Sequence, residues 1–267
     1  MKEEPIIYDR LSCDNCSDKS KLDFDFTMAF QPIINCKTNK IYGYEALVRG
    51  LNNESAFSII SKVNDDNRYL FDQLCRVKAI ALASELKMDS ILSINFLPNA
   101  IYKPERCIRT TLDAANKYNF PIDKIMFEFT EVEKIEDVNL IESIVEYYSK
   151  LGFKTAIDDF GSGYAGLGLL AEFQTSIVKF DMELIRNIDK DHARQSIVKN
   201  CLNIFRDLKI PPLAEGVETK EEFTSLRDFG IELMQGYLFA KPGFESLPNA
   251  EGSPHNFPKA QPCLNRF

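Results

Sequence analysis

The chain has 267 residues with 40 acidic against 32 basic side chains and a net charge of -8, giving a pI of about 5.0. That length suits one large domain with a full core and leaves no room for a separate input domain of ~100 residues. The acidic balance, without a basic stripe or basic amphipathic helix, excludes polymeric DNA or RNA as the expected ligand. No run approaches the ~18 apolar residues a bilayer span requires, and residues 1–10 lack a signal-peptide core, so the expectation is a cytoplasmic protein without a membrane partner.

Residues 1–22 are polar, broken by Ser and Asn, and read as an extension containing one Cys-x-x-Cys, Cys13 and Cys16. Zinc would need two further ligands, yet no second Cys-x-x-Cys exists, and His192 and His255 are the only histidines. The seven cysteines are scattered irregularly, which argues against a disulfide scaffold. Cys36, Cys75, Cys107 and Cys201 read as small apolar fillers.

Apolar, β-branched and aromatic runs predict eight strands at 26–34, 41–47, 91–95, 125–129, 153–158, 177–181, 212–215 and 232–237. From the third strand onward, segments of helical periodicity separate them, at 70–86, 108–118, 138–151, 193–208 and 220–229. This alternation predicts a (β/α)8 barrel spanning 23–245, with 246–267 as a tail. Only residues 35–40 separate the first two strands. That is too short for a crossover helix and right for a hairpin, so the first strand should run antiparallel to the second.

The strand ends carry Glu45, Asn95, Glu128, the Asp158–Asp159 pair, Lys179 with Asp181, Glu215 and Gln235. In a barrel these positions converge on the C-terminal mouth. Adjacent acids on a regular strand point to opposite faces, so Asp158 and Asp159 reach one cluster only if the strand end is kinked. Crowded carboxylates raise one another's pKa unless cations compensate. Oxygen ligands without His or Cys select hard cations such as Mg2+ or Mn2+. Paired ions bridged by a carboxylate activate water and stabilise a displaced phosphate oxygen, making phosphodiester hydrolysis the leading reaction class.

In order along the chain, Phe30-Gln31-Pro32-Ile33, Glu45-Ala46-Leu47-Val48-Arg49, Asn95, Glu128-Phe129-Thr130-Glu131, Asp158 to Tyr164, Lys179-Phe180-Asp181, Ala214-Glu215-Gly216-Val217-Glu218 and Gln235-Gly236-Tyr237 form a set that resembles the EAL-domain cyclic di-GMP phosphodiesterases from about Phe26 to Pro242. The resemblance implies a TIM-like barrel with an antiparallel first strand that hydrolyses cyclic di-GMP to linear pGpG with two Mg2+ or Mn2+ ions. It implies that Glu45, Asn95, Glu128 and Asp158 hold one metal, with Asp158 bridging to a second held by Asp159 and Glu215. Lys179 would contact the attacking water or the scissile phosphate. Glu215 is also viewed as a base in the family, and Gln235 resembles the glutamine near the water. Gln31, Leu47, Arg49 and Asp181 match substrate-binding positions. Glu131 matches the family's acid that anchors the loop after Asp159 and helps couple dimer contacts to the metal site, with Gly161 and Gly163 supplying the backbone freedom that loop requires; a helix N-terminal acid is the alternative for Glu131.

Two departures from the commoner family pattern concern fine contacts only: Leu97 stands where a serine is frequent after the asparagine, and Ala165 where the loop often has serine. Phe96 to Tyr102, Phe173 and Phe239 to Pro242 resemble a subgroup with members attached to light-sensing flavin domains. The resemblance also implies a homodimer, and without a sensor domain regulation is expected from a protein partner, oligomerisation or the N-terminal segment. Tyr44, Phe160 and Tyr164 lie near the expected mouth, where a ring stacks on guanine or packs in the core. The alternative functional class is a catalytically silent barrel acting as a cyclic di-GMP receptor or protein-interaction module. Loss of a metal ligand usually marks that class, and here every matched ligand position is filled.

Overall fold

The computed structural model describes residues 22–97, 104–130, 138–163 and 166–249. In chain order its elements are β1 (Thr27–Asn35), β2 (Lys40–Arg49), α1 (Ala56–Ile60), α2 (Arg68–Glu85), β3 (Ile91–Asn95), α3 (Pro104–Cys107), α4 (Arg109–Lys117), β4 (Ile125–Thr130), α5 (Val138–Lys150), β5 (Lys154–Phe160), α6 (Gly166–Glu172), β6 (Ile177–Phe180), α7 (Met182–Ile185), α8 (His192–Leu208), β7 (Pro212–Ala214), α9 (Lys220–Asp228), β8 (Leu233–Gln235) and β9 (Gly243–Phe244). Strands β2 to β8 follow one another around a sheet that closes through β1, which pairs with both β8 and β2. The barrel and the antiparallel first strand are as the sequence predicts: β2 to β8 are parallel, and β1 opposes both neighbours.

The β1–β2 reversal has a local cause. Asn35 Oδ1 accepts hydrogen bonds from the amides of Lys37 at 3.1 Å and Thr38 at 2.9 Å, and Asn39 adopts a left-handed conformation with φ 59°. Asparagine suits both tasks, because its short side chain folds onto nearby amides and tolerates positive φ.

Two-residue alternation sorts each strand into two cores. Phe127, Ile157, Val178, Ala214 and Met234 face outward into the layer between sheet and helices, together with rings such as Phe96, Tyr148, Phe160 and Phe205. Ile33, Met126, Ala156, Ile177, Leu213 and Leu233 point the other way and meet inside the barrel.

 

Each of these floor residues lies two positions below a mouth residue: Met126 below Glu128, Ala156 below Asp158, Ile177 below Lys179, Leu213 below Glu215, and Leu233 below Gln235. In β1, whose direction is reversed, Gln31 lies two positions above Ile33. The barrel interior is therefore apolar at its base and ionisable at its C-terminal end. Cys75, Cys107 and Cys201 are buried and Cys36 is half-buried, all with free thiols.

Several short elements escape the sequence reading. Helix α6 carries Gly166 and Gly168, which weaken helical propensity and blur its periodicity. Strand β9 has two residues and covers β1 beyond the end of β8, pairing Phe244 with Ala29 and Gly243 with Phe30. Strand β8 ends at Gln235 rather than Tyr237, because Gly236 turns the chain against Val217. Residues 1–21, including Cys13 and Cys16, and residues 250–267 lie outside the described residues. Among the described residues no helix is long and apolar enough to cross a membrane.

Gly236 yields a test of this closure. A Cβ there would stand 2.1 Å from the carbonyl oxygen and 2.3 Å from the amide nitrogen of Val217. Those backbone atoms are already engaged, Val217 N donating to Gln235 O and Leu238 N donating to Val217 O, each at 3.0 Å. No side-chain rotation relieves the clash, so Gly236→Ala should lower unfolding free energy by about 1–3 kcal/mol. Denaturant titration checks this, and an unchanged midpoint would contradict the packing described.

Candidate metal centre

Strands β2, β4, β5, β6 and β7 deliver Glu45, Glu128, Asp158, Lys179 and Glu215 to one mouth. The Lys179 ammonium lies 2.6 Å from Glu215 Oε1, 2.8 Å from Glu128 Oε2, 2.9 Å from Asp158 Oδ1 and 3.9 Å from Glu45 Oε2. Lys179 and Glu128 are both fully buried. Asn95, opposite Glu128 in the β3–β4 register, donates from Nδ2 to Glu45 Oε1 at 2.8 Å. Gln235 Nε2 donates to Glu45 Oε2 at 2.7 Å and to Gln31 Oε1 at 3.2 Å. Gln31 in turn donates to the Ala240 carbonyl at 3.2 Å.

The kink required for Asp158 and Asp159 to cooperate is present. The β5–β6 pairing shifts register between Ile157 and Phe160, and Asp159 has a left-handed backbone with φ 55°. For a residue with a Cβ that conformation costs roughly 1–2 kcal/mol. The twist turns the second acid toward the mouth instead of the outer layer. Asp158, Asp159 and Glu215 then form one group of carboxylates, while Glu45, Glu128 and Asp158 form another, with ligand atoms in each group lying within 4.8 Å of one another. Asp158 belongs to both.

The apolar floor sets the electrostatics. Burial pushes the Glu128 carboxyl up to about 8, with Lys179 opposing the shift and Glu45 and Asp158 reinforcing it. Burial also carries Asp159 to about 7, aided by Asp158 and Asp181. Glu215 is raised well above the carboxylate range by burial and then by Asp158, against the pull of Lys179. Burial alone would lower the Lys179 pKa, but Asp158, Glu128, Glu215 and Glu45 outweigh it and hold the ammonium well above its usual value. One ammonium thus serves several carboxylates that water cannot solvate.

Hard divalent cations fit these donors. All the carboxylate groups offer oxygen alone, and Glu128 Oε1 is buried without a hydrogen-bond partner. Such an atom is costly unless another ligand satisfies it. Glu45, Asn95, Glu128 and Asp158 could hold one ion, and Asp158, Asp159 and Glu215 a second.

Other sequence candidates occupy different settings. Leu47 and Arg49 continue the Glu45 face of β2 toward its end, and Arg49 Nη1 donates to the Val48 carbonyl at 2.7 Å. Asp181 is buried and caps α7 by accepting from Glu183 N at 2.7 Å, and it also hydrogen-bonds Asp159. Gly161 has φ 99°, and a Cβ there would meet Leu184 Cδ1 at 2.2 Å. Gly163 is exposed. Tyr44 and Phe160 face away from the mouth: Tyr44 hydroxyl donates to Pro248 O at 3.2 Å, and the Phe160 ring packs on Phe180 and Phe205. Glu131, Tyr164 and Ala165 lie outside the described residues. The Ala240 carbonyl that orients Gln31 was missed, since any residue supplies that group and no sequence signal marks it.

Known proteins share this arrangement of strands. A standalone versatile EAL protein from Vibrio cholerae O395, solved in a c-di-GMP-bound form, is 72% identical, with a TM-score of 0.86 over 88% of this chain and 99% of that one. Klebsiella pneumoniae BlrP1, solved as a manganese/cyclic di-GMP complex at pH 9.0, is 33% identical, with a TM-score of 0.79 over 85% of this chain and 58% of that one. The blue light- and temperature-regulated antirepressor BluF of Escherichia coli K12 is 31% identical over 237 residues, covering 88% of this chain. The probable cyclic di-GMP phosphodiesterase PdeG of Escherichia coli K12 is 30% identical over 226 residues, covering 80% of this chain. The chain spans 58% of BluF and 44% of PdeG, about half the length of these relatives. The EAL domain model matches residues 18–242, a span that contains every converging side chain described above, and the chain belongs to the EAL-domain family.

Proposed function

We propose that this chain is a cyclic di-GMP phosphodiesterase that cleaves its substrate to linear pGpG with two Mg2+ or Mn2+ ions. The observation that carries the reading is the pair of carboxylate groups sharing Asp158, directly around the buried Lys179. Relatives support the substrate: PdeG is named a probable cyclic di-GMP phosphodiesterase, and the Vibrio cholerae structure is a c-di-GMP-bound form.

When bound, the ions would supply Lewis acidity and positive potential to an otherwise anionic mouth. The chain's own groups then divide the work. Water oxygen adds to phosphorus, the bond from phosphorus to the 3′-oxygen breaks, and that oxygen leaves with a proton, so the product keeps a 5′-phosphate. Lys179 presents a compact positive charge to the phosphate oxygens as their negative charge grows. Gln235 is held through its amide nitrogen by Glu45 and Gln31, which leaves its buried Oε1 without a partner and ready to accept from the attacking water. Glu215 faces the same water from the Asp158–Asp159 group. Gln31 and Arg49, with Leu47 and Asp181, are proposed to position the nucleotide, Arg49 through its planar fork on a phosphate. The working unit is proposed to be a cytoplasmic homodimer in which Glu131, anchoring the loop that bears Gly161 and Gly163, helps couple the subunits to the site.

Chromatography of the nucleotide products with and without chelator tests the reaction. Purified protein with Mg2+ or Mn2+ should yield pGpG, chelator should stop it, and Glu45→Ala or Asp158→Ala should abolish turnover. Undiminished hydrolysis in both variants refutes the site, whereas substrate binding without product under several metals favours the receptor function. Lys179→Met should lower kcat by about 10²- to 10³-fold, as expected for losing one electrostatic donor.

The raised carboxyl groups give a pH signature. Glu128 and Asp159 hold protons in the folded chain to about 8 and about 7, above their values in an unfolded chain. Their contribution to stability is therefore full below the unfolded values, 4.5 for Glu128 and 3.8 for Asp159, falls progressively as pH rises, and is gone above about 8 and about 7. Divalent ions compete with those protons. Thermal unfolding should show a larger Mn2+-induced rise in Tm at pH 8.5 than at pH 6; an equal rise at both would contradict protonated ligands.

A further inference from the structure

We propose that Asp72, on helix α2 outside the barrel wall, is a positioning residue for the metal centre, holding Asn95 in place through the backbone of Leu97. The proposal rests on the reading of Asn95 as a metal ligand.

Asp72 and Arg76 form an ion pair one helical turn apart on α2, with side chains only 2% and 1% exposed. Enclosing both charges is costly, and apolar replacements of such pairs are often as stable or more so. Stability is a weak reason for its presence. The second carboxylate oxygen, Asp72 Oδ1, accepts from Leu97 N at 3.1 Å. Leu97 is two residues beyond Asn95, where β3 has ended and no ladder fixes the chain.

Two further contacts complete the grip on this short segment. Phe96 N donates to Glu128 O at 3.0 Å, and the Phe96 ring lies 5.7 Å from Phe127, 5.8 Å from Phe129 and 6.3 Å from Tyr148. Arg76 keeps Asp72 from turning away. Its guanidinium binds Asp72 and also reaches Cys107 O and Thr111 Oγ1, each at 3.3 Å. Asp72 thereby becomes a fixed acceptor, set by α2, α3 and α4, for the amide two residues beyond Asn95. Leu97 contributes only its amide, which any residue except proline supplies.

Two double variants separate the acceptor from the ion pair. D72N/R76M removes both charges but keeps an oxygen for Leu97 N, while D72L/R76M removes both charges and the oxygen. Mn2+ affinity, read by EPR titration of free Mn2+, should stay within about threefold of wild type in D72N/R76M and weaken by about tenfold or more in D72L/R76M, the usual scale for groups that orient a metal ligand. A general packing role would move the Tm of both and the Mn2+ affinity of neither. Equal Mn2+ affinity in the two folded variants overturns the proposal. Asn95→Ala serves as the control: if it weakens Mn2+ binding while D72L/R76M does not, the anchor fails and the ligand reading stands; if it binds as wild type does, the ligand reading itself falls and takes the anchor with it. Should D72L/R76M not fold, hydrogen exchange of the wild-type Leu97 amide decides, because coupling is reciprocal. Slower exchange on Mn2+ addition supports the anchor, and an unchanged rate overturns it.

Discussion

The structure depends on holding like charges together above an apolar floor. Glu45, Glu128, Asp158 and Glu215 lie within 4 Å of one ammonium, and the layer beneath them is Ile33, Met126, Ala156, Ile177, Leu213 and Leu233. Such a floor cannot solvate charge, so every acid added above it raises the cost of the next. Lys179 offsets part of that repulsion. The remaining demand for positive charge is one that cations would meet, and it follows from the same alternation of side chains that builds the barrel.

Much of this was legible in the sequence. Strand-by-strand, the pattern of an apolar residue followed two positions later by a polar one places the acids on a common face, and the short 35–40 connection gives the reversed first strand. The kink at Asp158–Asp159 was legible as a requirement, since two neighbouring acids can share a cluster only if the strand bends. Its form was not: a left-handed residue and a register shift arise from how β5 meets β6, and no residue type announces them. The short elements β9 and α6 were equally hidden, one too brief for any period and the other interrupted by glycines.

The site residues divide in the same way. Glu45, Glu128, Asp158 and Glu215 could be named from strand ends, whereas the settings of Asp181 and Gln31 emerge only from contacts distant in sequence. Asp181 meets Asp159 and caps α7, and Gln31 is tied to Ala240, 209 residues away. Tyr44 and Phe160 illustrate the converse: proximity to a strand end does not place a ring in the mouth when alternation turns it outward. Asp72 and Arg76 sit in a helix whose pattern alone would put them among ordinary amphipathic positions, and only the burial of both reveals that they answer to something other than solvent.

The direction of β1 carries a further consequence. Thr27 pairs with Arg49 at the C-terminal end of β2, so the chain enters this barrel at the rim that bears the acids rather than at the opposite pole. Strand β9 runs back along β1, and Glu245 closes on Thr27 through a 2.6 Å hydrogen bond. Entrance and exit are thus neighbours beside the acid-lined mouth. Pull, torsion or occupancy applied to either flank would arrive first at the threshold of the site, with no need for a signal to cross the body of the molecule.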